Sequence, residues 1–377
     1  MLFDATAQPE LLAGIFPNMR QVCDLKACDG EGVRRCQLRD SAVSMTALQE
    51  NPTWPARVLL LSSILEHSCG RTGVISTKSL MAKIAECRGP GDQLKTGHFG
   101  AVKGVNRFED CAALILCGRL AITPSVAERM ASVLLERDVT PLEGARFPKA
   151  KQYLEGRQTN TGWEVQTDTH PDPAVNAARA SVTEDQLEQA RGRGRNTRRN
   201  ASNPLTEYVF TNVPTRFPVD ATFTVRELHA ATSWPTLMLT SGVWLADGEG
   251  ASIVGVLLRA CMQKAQTRES LYMTLIGDPA SESPERASQW RKDQLADNSE
   301  LERFVARADK QFAARAATLD ILHTPLPIAD FQPVRAKVRG ARYYAQLYVR
   351  TAPDQTPQDA LLEFLGPLAE EVELKGG

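Results

Sequence analysis

Short apolar segments alternate with helical segments between residues 54 and 222, and this alternation constrains the fold more than any other feature of the sequence. Three of the apolar segments are TGVIST at 72–77, CAALILCG at 111–118 and TEYVFTN at 206–212. Strands separated by helices are joined by crossovers, which make the strands parallel and cover the sheet with helices. We therefore expect an α/β fold with an open, mostly parallel sheet flanked by helices, followed by a helix-rich α+β C-terminal region.

The same pattern divides the chain into three regions. A length of 377 residues predicts two or three domains. Residues 1–46 begin directly with a strand-like segment, MLFDAT, with no helix or loop before it. We therefore interpret them as the end of a preceding lobe. Residues 47–222 form the α/β domain, with a polar insertion at about 138–180 that contains a hairpin around EGRQTNTGWEV. Residues 223–377 are predicted to form a C-terminal accessory domain.

Two helices of the α/β domain have start signals in the sequence. Thr123 followed by Pro124 supplies an N-cap and a first-turn proline before VAERMASVLLE. Thr183 and Gln186 match the spacing of a capping box. This spacing predicts a helix that begins at Thr183 and runs through QLEQARGR.

Composition and charge exclude several classes of protein. The net charge is −1, so no global field attracts nucleic acid and any basic site must be local. No stretch approaches the roughly 18 apolar residues of a membrane span, and the N-terminus lacks the pattern of a signal peptide. The eight cysteines lack the paired spacing of zinc sites, which favours buried free thiols in a cytoplasmic protein and no bound metal.

Arginines are concentrated in QARGRGRNTRR, which holds five of them within the nine positions 191–199. Gln189 and Arg193 are four residues apart and so share one helix face. Arg195 follows where the helix is predicted to end. Guanidinium groups fixed at a helix end can bind phosphate through paired hydrogen bonds. A solvated basic loop is the alternative interpretation.

Polar residues adjoin two of the predicted strands. VISTKSL places Ser76, Thr77 and Lys78 where a strand ends and a helix begins. Hydroxyl groups and backbone N–H groups at such a helix start can bind phosphate. The same hydroxyls can instead only cap the helix. In TGHFGAVKGVNRFED, His98, Lys103 and Asn106 lie among three glycines before the next strand. Open parallel sheets bind ligands at loops beside strand ends, although an ordinary turn explains the same glycines.

Taken in order, these segments resemble the second motor lobe of superfamily 2 helicases, especially helicase-like proteins of bacterial mobile elements. LFDAT resembles the S-A-T strand that closes the first lobe, and VISTKSL resembles a strand and helix start that touch the nucleic-acid backbone. GHFGAVKGVNRFEDCAALILCGR resembles the G-x-N segment with its trailing Gly118 and Arg119. QARGRGR resembles the Q-x-x-G-R-x-x-R motif, and NPLTEYVFTNVP is similar to the strand after it. The similarity covers roughly residues 1–220.

The resemblance implies a RecA-like fold and two sets of functional residues. Gln189, Arg193 and Arg195 would face the phosphates of ATP, the two arginines acting as arginine fingers. Arg195 departs from the motif, because it follows Arg193 by two positions and not by three. Nucleic acid, DNA or RNA in single-stranded form, would contact a second set that comprises Ser76, Thr77, Lys78, His98, Lys103 and Asn106.

The sequence lacks the motifs with which such motors hold ATP and Mg²⁺. It contains no G-x-x-x-x-G-K-[ST] loop and no D-E-x-H or D-E-x-D box. We therefore expect no cofactor and no ATP hydrolysis on this chain alone, with ATP and Mg²⁺ held by a separate N-terminal lobe that a truncated or split protein would lack. The competing hypothesis is an interaction or regulatory module that kept the lobe fold and lost the motor.

A basic hairpin stands out in the C-terminal region, in VRAKVRGARYYAQLYVR at 334–350. The segment is predicted to turn near Gly340. Basic residues alternate along the first strand, and aromatic residues occupy the second, a combination suited to single-stranded nucleic acid. An exposed amphipathic hairpin without a ligand is the simpler interpretation. The residues concerned are Arg335, Lys337, Arg339, Tyr343, Tyr344 and Tyr348.

Overall fold

Two compact units make up the chain. Unit 1 comprises Met1–Asn51, Cys69–Lys83 and Gln93–Val225, and unit 2 comprises Pro52–Ser68, Ile84–Asp92 and Arg226–Gly377. The structure is a computed structural model. It describes residues 9–19, 28–50, 53–68, 70–87, 94–102, 104, 106–158, 161–232, 238, 241–245, 251–264 and 331–375.

A six-stranded parallel sheet lies at the centre of unit 1. The strands of this unit are β1 (Val33–Leu38), β2 (Thr72–Ser76), β3 (Lys95–His98), β4 (Ala113–Cys117), β5 (Lys149–Glu155), β6 (Gly162–Asp168), β7 (Leu205–Phe210) and β8 (Ala221–Phe223). The sheet has the order β3-β2-β4-β7-β1-β8, and all its neighbours pair in parallel. The predicted open parallel sheet is confirmed, because TGVIST, CAALILCG and TEYVFTN supply the adjacent strands β2, β4 and β7.

Helices flank this sheet. Along the chain, unit 1 contains α1 (Pro9–Ile15), α2 (Met45–Glu50), most of α4 (Lys78–Cys87), α5 (Pro124–Leu135) and α6 (Pro173–Arg191). Helix α3 (Thr53–Ser68) and, after its first residue, α7 (Val225–Ala231) fall in unit 2. Small side chains let α1, α5 and α6 approach each other closely, since Ala127 and Ala131 of α5 pack with Ala174 and Ala178 of α6.

Helix α5 begins as predicted, whereas α6 begins earlier than predicted. Thr123 is the N-cap of α5, and Pro124 is its first residue. The N-cap of α6 is Asp172, whose carboxylate accepts a hydrogen bond of 2.9 Å from the backbone N–H of Ala174. Thr183 is buried in the middle of α6, so the capping box predicted there is wrong. Burial of the alanine-rich first turns against α5 extends the helix beyond the local signal.

One face of the sheet is covered by α6 and by the segment 99–111. Leu187 of α6 and Phe108 of this segment share a buried cluster with Leu114 of β4 and Val209 of β7. Phe108 is fully buried. A Cβ atom at Gly73 or at Gly97 would lie 2.7 or 2.9 Å from its ring. The two glycines therefore make room for the aromatic ring on β2 and β3.

The predicted insertion contains the predicted hairpin. β5 and β6 pair in antiparallel register from Lys149–Asp168 to Glu155–Gly162. Leu154 and Val165 pack with Val219 in a small buried cluster. The backbone N–H of Val219 also donates to the carbonyl of Glu155 at 2.7 Å.

The structure differs from the predicted domain division in two places. Strand β1 falls within residues 1–46, predicted to be the end of a preceding lobe, yet it pairs with β7 on one side and β8 on the other. Helix α3 falls within residues 47–222, yet it groups with unit 2. The first difference arises because parallel partners are remote in sequence, as Arg35 and Glu207 are.

An antiparallel sheet of order β12-β10-β11-β9 organises unit 2. Its elements are β9 (Val243–Leu245), α8 (Ala251–Lys264), β10 (Phe331–Val338), β11 (Ala345–Arg350), α9 (Pro357–Leu365) and β12 (Val372–Leu374). Leu257 of α8 and Leu361 of α9 share a buried cluster with Val334 and Leu347 of the sheet. The predicted hairpin is confirmed as β10 and β11, with Gly340 in the turn at a φ of 82°.

Several predicted elements lie outside the described residues. These are the strands MLFDAT and RQVCDL and the helix in SELERFVARADKQFAARAATL. Among the helices that the structure does describe, none is long and apolar enough to cross a membrane.

Candidate phosphate-binding site

The arginine loop, residues 192–199, connects α6 to the start of β7 and so lies at the amino-terminal edge of the parallel sheet. It consists of two 3₁₀ turns, Gly192–Gly194 and Asn196–Arg198. Arg195 joins the turns in a left-handed conformation, with φ 56° and ψ 44°. This conformation costs a residue with a Cβ about 1–2 kcal/mol. Such strain is retained where the surroundings fix it, and functional loops are common among these places.

Arg195 is fixed at the surface by the segment that precedes β4. Its guanidinium donates a hydrogen bond to the side-chain oxygen of Asn106. Its Nε lies 3.9 Å from a carboxylate oxygen of Glu109. The side chain of Arg195 is nevertheless 35% exposed. An anion at this edge could therefore reach the guanidinium of Arg195.

Arg193 lies in the first of the two 3₁₀ turns and is half-buried. Its Nε is buried and has no hydrogen-bond partner among the described residues. A Cβ atom at the neighbouring Gly192 would meet no atom within 4 Å, so the backbone beside Arg193 adjoins open space. Gln189, the third residue predicted to face nucleotide, is half-buried near the end of α6.

Two other arginines of the same run are structural. Arg191 is 1% exposed, donates to Glu207 at 3.1 Å and stacks 4.1 Å from the ring centroid of Phe217. Arg199 is 2% exposed and donates to the carbonyl of Gly194 at 2.7 Å. The run thus combines buried arginines that hold the loop with accessible arginines that can bind an anion.

Glu207 ties the loop to the sheet. Its carboxylate accepts hydrogen bonds from Arg35 at 2.8 Å, Arg191 at 3.1 Å and the side chain of Asn196 at 2.8 Å. We call these four residues, together with Asp29, the Glu207 cluster. A buried charge is costly unless it is paired and hydrogen-bonded. The carboxylate of Glu207 meets this condition, whereas both Nη atoms of Arg191 and one carboxylate oxygen of Asp29 are buried without a hydrogen-bond partner among the described residues. Through Arg191 and Asn196, Glu207 holds the residues on either side of the first 3₁₀ turn.

The Glu207 cluster continues to the insertion through Asp29. A carboxylate oxygen of Asp29 accepts from Arg35 at 2.9 Å and from Arg157 at 3.1 Å. Arg157 in turn pairs with Asp220 at 2.6 Å. Sequence reasoning did not select Asp29, Arg35 or Glu207. A charged residue within an otherwise apolar strand, as in VRRCQL and TEYVF, is the signal that could have identified two of them.

Further cations gather at the amino-terminal edge. Arg71, just before β2, and Lys95, the first residue of β3, both donate to Asp110. Burial would raise the pKa of Asp110, but the hydrogen bonds from Lys95 and Arg71 outweigh it and lower the pKa. Asp110 is therefore ionised at neutral pH. Asp110 thus pairs with two cations, and Arg195 lies near Glu109 at the same edge.

At the opposite, carboxyl-terminal edge, most of the predicted nucleic-acid contacts are internal. The hydroxyl of Ser76 is buried and donates to the carbonyl of Cys117 at 2.6 Å. The hydroxyl of Thr77 caps α4 by accepting from the N–H of Leu80 at 3.3 Å. His98 uses Nδ1 to donate to the carbonyl of Phe99 at 3.0 Å. Lys78 is exposed.

Asn106 lies with the arginine loop, although the resemblance implied one nucleic-acid surface for Asn106 with Ser76, Thr77, Lys78 and Lys103. The segment 99–111 starts at the carboxyl-terminal end of β3 and ends at the amino-terminal end of β4, so its later residues reach the other edge. The contact between Asn106 and Arg195 places Asn106 there. Lys103 lies outside the described residues.

The trailing Gly118 and Arg119 have structural roles. Gly118 has a φ of 79°, and a Cβ atom there would lie 2.5 Å from a side-chain carbon of Leu48. Arg119 is 7% exposed and pairs with Asp168 at the end of β6. This pair anchors the insertion hairpin to the loop after β4.

Asp168 should make the stability of the insertion depend on pH. Burial would raise its pKa, but hydrogen bonds from Lys149 and Arg119 outweigh burial and lower the pKa. A lowered folded-state pKa gives stability that is complete above the unfolded-state value of about 4 and is lost as the pH falls through the folded-state value. We expect Asp168→Asn to lower the free energy of unfolding by about 1–3 kcal/mol at neutral pH.

The measurement is urea unfolding of the wild type and Asp168→Asn at several pH values. The difference between them should shrink below a pH of about 4, because the wild-type carboxylate then becomes protonated. Asp138→Asn, at an exposed position, is the control and should match the wild type throughout. A difference in unfolding free energy between the wild type and Asp168→Asn that stays constant at the lowest pH measured would contradict the proposed role of the ionised carboxylate.

No metal centre is indicated among the described residues, where no group of three or more His, Cys, Asp and Glu side chains could hold an ion. Among the described cysteines, Cys36, Cys111, Cys117 and Cys261 are buried thiols, as predicted, whereas Cys28 is exposed. Burial raises the pKa of Cys36 to about 12 and that of Cys111 to about 11. These two thiols are therefore protonated and unreactive at neutral pH.

Comparison of the chain with protein families, curated proteins and solved structures gives no significant match.

Proposed function

We propose that this chain is a RecA-like, helicase-like lobe that binds single-stranded nucleic acid, DNA or RNA, and supplies arginine fingers to ATP held by a separate motor lobe. The observation that carries the proposal is the arginine loop. Arg195 is held by Asn106 in a strained conformation, and Arg193 beside it keeps a buried, unused donor. Arginines that are fixed before a ligand arrives lose little entropy when they bind phosphate.

The electrostatics of the amino-terminal edge support a polyanionic ligand. The net charge of the chain is −1, yet Arg71, Lys95 and Arg195 lie at this edge together with the half-buried Arg193. A local excess of one sign attracts ligands of the opposite sign. An arginine finger can contribute about 10³–10⁵ in rate by stabilising transition-state charge. Without a lobe that holds ATP and Mg²⁺, the proposed fingers have no transition state to stabilise, so the chain alone is proposed to be inactive.

The proposal assigns nucleic acid and nucleotide to different edges of the sheet. Lys78, exposed at the start of α4, is the described candidate for a phosphate contact at the carboxyl-terminal edge. Arg193 and Arg195 are the candidates for nucleotide at the amino-terminal edge, and Asn106 positions Arg195. Ser76, Thr77 and His98 already have intramolecular hydrogen bonds, so their proposed role is to shape this edge.

One observation favours the alternative of a non-catalytic interaction module. Ile15 and Phe16 at the end of α1 are each 50% exposed, and Val133 of α5 is 70% exposed. Gly14 packs against the backbone of Leu134, so α1 and α5 approach each other next to these apolar residues. Exposed apolar patches mark protein–protein contacts. Partner capture through this patch, with no effect of Lys78→Ala on nucleic-acid binding, would favour the alternative.

The test is a titration of a labelled single-stranded oligonucleotide at salt concentrations from about 50 to 200 mM. Lys78→Ala should weaken binding to all sequences alike and flatten the slope of log K against log salt by about 0.7. Arg193→Ala and Arg195→Ala should leave the slope unchanged, because their proposed ligand is the nucleotide.

Lys151→Ala, at an exposed lysine of the insertion hairpin, is the matched control for removal of a surface charge. Binding that does not depend on salt would contradict the proposal. So would a loss of affinity in Arg193→Ala alone, which would mean that the arginine loop contacts the strand itself.

A further inference from the structure

The tip of the β10–β11 hairpin in unit 2 carries basic and aromatic side chains that have no role in the function proposed for the lobe. β10 alternates between core and solvent. Val334 and Ala336 of β10 face the buried cluster, so Arg335 and Lys337 point to the opposite face. Residues two apart on a strand are about 7 Å apart, and Arg339 at the turn continues the same row.

Two aromatic residues lie at the turn and not in the partner strand. Tyr343 is 54% exposed, and the guanidinium of Arg342 lies 5.1 Å from its ring centroid. The ammonium of Lys337 lies 4.7 Å from the ring centroid of Tyr344. Tyr348 of β11 is buried. An exposed tyrosine flanked by cations offers a flat surface on which an unpaired base can stack.

The charges of this tip are not compensated within the described part of the chain. Lys337 pairs with Glu373 at 2.9 Å, and Glu371 pairs with Arg259 at 3.0 Å. The remaining cations, Arg335, Arg339, Arg342 and Lys375, pair with no described carboxylate. Within the described residues, Arg339 and Arg342 of the turn and Arg335 further along β10 are therefore free to pair with phosphates, while the exposed ring of Tyr343 is free to meet a base.

The tip is held rigidly by the fold beneath it. β10 pairs with β11 from Phe331–Arg350 to Ala336–Ala345, and its last residues, Lys337 and Val338, pair with β12 on the other side. The N–H of Arg339 donates to the carbonyl of Glu371 at 2.9 Å, and the N–H of Ala341 donates to Val338 at 2.9 Å. Gly340 has a φ of 82°, which turns the chain without strain for glycine. Tyr343 is therefore presented by a fixed turn.

We propose that the hairpin tip is a binding site for single-stranded nucleic acid, in which Tyr343 stacks on a base while Arg339, Arg342 and Arg335 contact successive phosphates. This site belongs to unit 2 and does not depend on the arginine loop or on Lys78. It needs no nucleotide. It binds unpaired strands in preference to duplex, because a paired base has no free face for Tyr343.

The experiment uses the full chain and a labelled oligothymidine strand of roughly 12 nucleotides. Tyr343→Ala is expected to weaken binding by about 5- to 100-fold, and Tyr343→Phe is expected to bind as the wild type does, because stacking needs only the ring. The double variant Arg339→Ala/Arg342→Ala should flatten the salt slope by about 1.4, from two phosphate contacts. Tyr153→Ala is the matched control, since Tyr153 is 63% exposed on the insertion hairpin.

A strand substituted with iodouracil supplies an independent readout. On irradiation, the wild type should form an adduct that mass spectrometry locates at Tyr343. Equal affinities for Tyr343→Ala and Tyr153→Ala would overturn the proposal. Adducts that map only elsewhere would also overturn it, as would equal displacement of the strand by polyglutamate, which would identify an acidic peptide as the ligand.

The two proposed nucleic-acid sites can be distinguished by these variants. Loss of binding in Lys78→Ala with none in Tyr343→Ala would remove the hairpin site and leave the lobe. The reverse result would retain the hairpin site and remove the nucleic-acid contact proposed for the lobe.

Discussion

Replacing Glu207 with alanine is expected to destabilise unit 1 by about 3–5 kcal/mol. The carboxylate is fully buried and accepts hydrogen bonds from Arg35, Arg191 and Asn196. Its removal leaves two buried guanidinium groups with Asp29 as the remaining carboxylate of the Glu207 cluster. Desolvated charges without partners cost far more than a lost surface contact. Urea or guanidinium unfolding, followed by circular dichroism, measures the effect.

Glu164→Ala is the control for Glu207→Ala. Glu164 is 45% exposed and pairs with the exposed Lys151, and surface pairs of this kind contribute about 0–1 kcal/mol. Hydrogen exchange should also show the arginine loop opening in Glu207→Ala before the rest of unit 1, because Arg191 and Asn196 both depend on that carboxylate. A Glu207→Ala protein that unfolds within about 1 kcal/mol of the wild type would contradict the role of the Glu207 cluster.

Truncating Phe108 to alanine should cost about 3–5 kcal/mol through the cavity it leaves. The ring is fully buried, and Gly73 and Gly97 leave just enough space for it on β2 and β3. The backbone carbonyl of Phe108 also lies 3.4 Å from Arg199. The substitution therefore removes core packing directly beneath the segment that holds Asn106.

Phe108→Ala has a second expected consequence at the arginine loop. If the segment 99–111 relaxes into the cavity, the contact between Asn106 and Arg195 weakens, and exchange at the backbone N–H of Arg195 should accelerate. Phe108→Leu should retain most of the stability, because it fills more of the cavity. The surface control is Tyr153→Ala. An unfolding free energy in Phe108→Ala equal to that of this control would show that the ring does not support the sheet.

The anion-binding part of the candidate site was visible in the sequence only as a group of arginines. Spacing placed Gln189 and Arg193 on one helix face and Arg195 at the helix end. It could not separate them from Arg191 and Arg199, which are buried and hold the loop. That distinction depends on Glu207 and Phe217, which approach Arg191 only after β7 and the segment before β8 are in place.

Local sequence by itself determined several elements of this protein. Apolar runs of strand length between helical patterns gave β2, β4 and β7 and their parallel arrangement. Thr123 with Pro124 gave the start of α5, and the glycine at 340 gave the turn of the C-terminal hairpin. These features depend on propensity, capping and periodicity, which act between residues close together in the chain.

Tertiary structure alone decided which residues share a surface. It inserted β1 between β7 and β8, carried Asn106 across the sheet to Arg195, and buried Ser76 and Thr77 that the sequence left free to bind. It also kept Tyr343 exposed while burying Tyr348 five residues later. The physical reason is that burial and pairing between remote segments depend on the packing of the whole sheet, for which local sequence carries no signal.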